Sequence, residues 1–91
     1  MSEDEEAALA ARLDAELRET FGSHVLTMHD LTKALNYKSI SAVRQAVSRN
    51  TMPIPLFNLP NRRGKFALSV EVAKFLARQA SVKDTMTEQE K

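Results

Sequence analysis

The chain has 91 residues, is 43% apolar and 27% charged, carries a formal net charge of +1 and contains no cysteine. Such a length holds one domain with a modest core, and the absence of cysteine excludes a disulfide framework and thiolate metal sites. No apolar run approaches the ~20 residues a membrane span requires, and the acidic beginning differs from the basic start of a secretory leader, which predicts a cytoplasmic protein.

Ser2 stands before Glu3, Asp4, Glu5 and Glu6, a cap followed by acids that favour the positive end of a helix dipole. Leu9, Leu13, Leu17 and Phe21 then recur every fourth residue among alanines and charges, which predicts an amphipathic helix ending at Gly22. Two readings of its leucine stripe stand open. It packs on the core of its own domain, or Leu9, Leu13 and Leu17 pair it with a second copy of the chain.

Thr27 and Asp30 form a capping-box pattern. Met28, Leu31 and Leu35 give the inward stripe of a short helix that stops at Asn36, a residue tolerant of left-handed backbone. Ser39 caps a further helix running to about Arg49, with Ile40, Val43 and Val47 inward. Two short helices joined by a tight turn, the second half apolar and half hydrogen-bonding, describe a helix-turn-helix. Pro53 and Pro55 prevent its continuation. Leu56, Phe57 and Leu59 are a strand candidate, Pro60-Asn61-Arg62-Arg63-Gly64 a turn, and residues 65–68 the returning strand. Ser69 is the expected cap of a last helix with Val72, Phe75 and Leu76 inward and Lys74 and Arg78 outward. From Ser81 onward the polar composition predicts a disordered tail.

The small net charge conceals an uneven distribution. Residues 1–20 hold seven acids against Arg12 and Arg18, a net of −5, and residues 81–91 sum to −1. Residues 21–80 hold nine lysines and arginines against Asp30 and Glu71, a net of +7. A basic middle suits a polyanion-binding domain, although uneven charge also occurs on domains that bind none.

The outer face of the 39–49 helix reads Ser41, Arg44, Gln45 and Ser48, without an acid. Arginine grips guanine and glutamine grips adenine through paired hydrogen bonds in the major groove, so these four are the candidate base contacts. Lys38 and Arg49 at the ends of that helix, and Arg62, Arg63 and Lys65 on the hairpin, are the candidate backbone contacts. Lys33 offers a further one from the preceding helix. Phe57 and Phe66 read as core rather than as a stacking platform, and Tyr37 as packing at the inter-helix turn. Catalysis has no support: there are two glycines and no phosphate loop, and His24 and His29 lack partners at ligand spacing. No enzyme activity, cofactor or metal is expected.

Leu26-Thr27-Met28-His29-Asp30-Leu31, Val43-Arg44, the basic hairpin and the run from Phe66 through Ser69, Val72 and Phe75 to Leu76 together resemble the excisionase-like and MerR-type winged helix-turn-helix families. The chain is also similar to short regulators of mobile elements, the pyocin-activator type among them. The resemblance covers residues 25–78. Thr32 stands where those families favour a small residue, Asn36 where they favour a glycine, and the inter-helix turn is slightly longer.

The resemblance implies sequence-specific binding to double-stranded DNA as a transcription regulator, with no cofactor. The expected fold is mainly α with a small β-hairpin: a winged helix-turn-helix over residues 23–80, an acidic helix over 1–22 before it, and the tail over 81–91. One such domain buries only about 600–1,000 Å² on DNA, so a homodimer or higher homo-oligomer on adjacent half-sites is expected. Two alternatives remain: an architectural DNA-bending factor of the excisionase type, and a protein-interaction adaptor acting through its N-terminal helix.

Overall fold

The computed structural model describes residues 2–82. Four helices and two short strands follow one another as α1 (Glu3–Phe21), β1 (Val25–Leu26), α2 (Met28–Ala34), α3 (Ile40–Ser48), β2 (Ala67–Leu68) and α4 (Ser69–Val82). The molecule is mainly helical with one small antiparallel sheet, and among the described residues no helix is long and apolar enough to cross a membrane.

Local sequence explains where the first three helices begin. Ser2 closes a capping box with Glu5, its hydroxyl accepting from the Glu5 amide at 3.1 Å while Glu5 Oε1 accepts from the Ser2 amide at 3.0 Å. Thr27 and Asp30 repeat the arrangement at α2, at 3.1 and 3.0 Å. Ser39 accepts from the Ala42 amide at the head of α3. Each satisfies donors that a helix start otherwise leaves bare. Gly22 ends α1 with φ 72° and donates to the Arg18 carbonyl.

The sheet differs from the expected hairpin. β2 pairs with β1, Val25 opposite Leu68 and Leu26 opposite Ala67. The expected strand at Leu56, Phe57 and Leu59 contributes a single bridge, Phe57 opposite Phe66. Pro53, Pro55 and Pro60 supply no amide donors, so the ladder has little room to extend on either side of Phe57.

Two further expectations are corrected. Ser69 does not cap α4; β2 runs straight into the helix, and the buried Ser69 hydroxyl donates to Asp14 Oδ1 of α1 at 2.5 Å. Its amide donates to the His24 carbonyl. Disorder does not begin at Ser81, because α4 continues through Val82 with Ser81 half-buried. The rest of the expected tail, residues 83–91, lies outside the described residues.

Leu26, Leu31, Ile54, Ala67 and Val72 form the buried core, with Leu17, Phe21, Leu35, Phe75 and Leu76 packed around it. Burying one such leucine contributes about 1.5–3 kcal/mol. α1 packs chiefly on α4, so Leu17 and Phe21 of its stripe meet the core of their own chain, while Leu9 and Leu13 are half-buried. Arg18 lies 3.5 Å from Asp14 and reinforces this side of α1.

Candidate nucleic-acid interface

α2 and α3 pack against each other, joined by residues 35–39. Asn36 adopts φ 59° in that turn, the left-handed geometry for which glycine is usual and asparagine is the next choice. The Tyr37 amide donates to the Thr32 carbonyl at 2.9 Å, and Thr32 turns its hydroxyl back to the Met28 carbonyl. Thr32 and Asn36, two of the three departures from the resembled pattern, thus sit in locally hydrogen-bonded backbone.

α3 buries Val43 and Ala46, and Ile40 and Val47 are half-buried beside them. Ala46 is a core position that the apolar spacing did not single out. Ser41, Arg44, Gln45 and Ser48 are all exposed, on the stripe opposite. Lys38 and Arg49 are exposed beyond its two ends. Nine residues give a rod of ~14 Å, presented with four hydrogen-bonding side chains and no acid. Among the described residues none of those four side chains has a hydrogen-bond or ion-pair partner within the chain, where the one ion pair is Arg18 with Asp14.

The hairpin cations are placed differently from one another. The Arg62 guanidinium stacks over the Phe66 ring at 4.9 Å from its centroid. Lys65 Nζ donates to Asn58 Oδ1 at 3.1 Å, and Asn58 Nδ2 donates to the Gly64 carbonyl at 3.1 Å. Arg63 is exposed and has no partner among the described residues. Asn61 at φ 62° and Gly64 at φ 86° turn the loop. A Cβ at Gly64 would meet Met28 Cε at 3.7 Å, which sets the loop beside the first turn of α2. Phe66 is buried and Phe57 half-buried, their rings 6.4 Å apart, as part of the hairpin's packing. Asn58 is the residue sequence reasoning missed, because its partners lie six and seven positions away.

Three cations of the basic interval belong elsewhere. Lys74 and Arg78 of α4 share a groove with Glu3, Glu6 and Asp14 of α1, so acid faces base within the fold. Lys33 lines a cleft with Glu16 and Asp30. Comparison of the chain with known protein families, curated proteins and solved structures returns no match.

Proposed function

We propose that this chain is a sequence-specific double-stranded DNA-binding protein of the winged helix-turn-helix type, acting in the cytoplasm as a transcription regulator without enzymatic activity. One observation carries the reading: the outer face of α3 offers Ser41, Arg44, Gln45 and Ser48 exposed, free of acids and without partners among the described residues. Side chains whose hydrogen-bonding capacity the fold leaves unused are available to an external ligand. The order of elements supports the fold assignment, with α2, a tight turn and α3 followed by a hairpin whose second strand returns to β1.

In this reading α3 enters the major groove, whose width of about 12 Å admits one helix. Arg44 donates two hydrogen bonds to guanine O6 and N7, and Gln45 pairs with adenine N6 and N7. Each such pair discriminates by about 1–3 kcal/mol. Ser41 and Ser48 reach nearer atoms, and Lys38 and Arg49 hold phosphates on either side. At the hairpin Arg63, which has no partner among the described residues, meets the backbone or a narrow minor groove, while Arg62 and Lys65 stiffen the loop.

The test is binding to a pool of duplexes across a salt series. With about three phosphates neutralised, by Lys38, Arg49 and Arg63, log affinity falls against log salt with a slope of about −2.7. A slope near zero would contradict the proposal.

A further inference from the structure

The loop between Phe57 and Phe66 is closed by a side chain rather than by a ladder. Phe57 and Phe66 exchange both backbone hydrogen bonds, at 2.9 and 2.8 Å. In an antiparallel pair the next such exchange falls two residues further on, here between Leu59 and Gly64. That rung is not formed: the Leu59 carbonyl accepts from the Arg62 amide at 3.2 Å, and the chain turns early. The Gly64 carbonyl instead accepts from Asn58 Nδ2 at 3.1 Å, and Asn58 Oδ1 accepts from Lys65 Nζ at 3.1 Å. One amide side chain thus uses both a donor and its acceptor across the base of the loop. Both neighbours of Arg63 are fixed as a result. Arg62 is held through its amide and through its guanidinium, which stacks on Phe66. Gly64 is held by Asn58, at a φ of 86° that residues with a side chain rarely adopt. Arg63 itself is exposed and has no partner among the described residues.

We propose that Asn58 is a positioning residue for DNA binding, holding the loop so that Arg63 meets the phosphate backbone with little further ordering. This role rests on the DNA-binding reading and adds to it a residue that acts through another. Ordering a long side chain and its loop at an interface lowers affinity, and fixing the backbone beneath it in advance removes part of that loss. Asn58 carries no charge, so it attracts no phosphate electrostatically. Without the bridge Arg63 keeps its charge and its exposure, while the Gly64 side of its backbone is released. Asn58 also holds Lys65 Nζ, which keeps a second cation of the loop on the hairpin itself.

Titration of a labelled pool of random duplexes at fixed salt tests it, with the wild type, Asn58→Ala, Arg63→Ala and the double variant. Asn58→Ala should weaken binding by about two- to fivefold on all duplexes alike. It should have no further effect once Arg63 is alanine, because the two residues then share one contribution. A side chain that merely stabilised the fold would show no such dependence on Arg63. Asn58 is exposed, so circular dichroism should show the variants folded under the conditions of the titration. An Asn58→Ala variant that binds like the wild type would overturn the proposal, as would a loss of equal size in both backgrounds. Tighter binding would overturn it too, the bridge then serving to withhold Lys65 from phosphates. A wild type that binds no duplex would remove the DNA-binding reading itself and this role with it, whereas the other failures occur on a wild type that binds.

Discussion

α1 is 19 residues long and buries no side chain completely, whereas α3 has nine residues and buries Val43 and Ala46. Their polar faces differ just as much. On α1 several charges are used internally: Glu5 on the Ser2 amide, and Asp14 on the Ser69 hydroxyl and beside Arg18. On α3 no outward side chain has a partner among the described residues. A charged helix face is therefore a weak indicator of function by itself. Three of the nine charged side chains of α1 have partners among the described residues, and none of the four outward side chains of α3 does. What separates the helices more clearly is that the face of α3 is hydrogen-bonding and without an acid, whereas that of α1 is largely acidic.

The largest expected effect tests the burial side of that contrast. Val43→Ala removes a fully buried side chain and should cost about 2–3 kcal/mol in denaturant unfolding. Leu9→Ala, at a half-buried position on the longer helix, should cost less than about 1.5 kcal/mol. Equal losses would break the distinction.

The hairpin sharpens the polar side, because free and occupied cations sit within one loop. Arg63→Ala should weaken binding to all duplexes by about three- to tenfold, since a backbone contact carries no sequence preference. Arg62→Ala should affect binding less and instead lower stability by about 0.5–1 kcal/mol through the lost stacking on Phe66. Titration and melting of the two variants side by side would show whether the roles are reversed.

The smallest effect lies at the start of α1. The Ser2 amide donating to its carboxylate holds Glu5 below the usual glutamate range. The unfolded group therefore binds its proton at higher pH than the folded one. The helix start is favoured above the ordinary value, and that contribution is lost as pH falls through the lowered folded value. Far-UV circular dichroism should show acid fraying of α1 that Glu5→Gln no longer shows.

Much of the helical architecture was legible because its determinants are local. Thr27 with Asp30, and Ser39 before an apolar stripe, mark helix starts within four residues of sequence, and Asn36 marks the turn between them. The exposure of Arg44 and Gln45 follows from the same periodicity. What was not legible depends on contacts between distant segments. Val25 and Leu26 carry no periodic signal in two residues, yet they are the main partner of β2. Ser69 has the appearance of a cap, and its hydroxyl goes instead to Asp14, 55 positions away. The leucine stripe of α1 announced a packed helix, but its neighbour α4 is set by the fold. Arg62, Arg63 and Lys65 looked equivalent, and only Phe66 and Asn58 distinguish them.

The most direct measurement of the central claim is selection of bound duplexes from a random pool, carried out with the wild type and with Arg44→Ala. The account predicts that the wild type enriches a defined site containing a guanine, and that the variant loses preference at that position while still binding duplex DNA. A wild type that enriches no sequence, or a variant that enriches the same site unchanged, would contradict it.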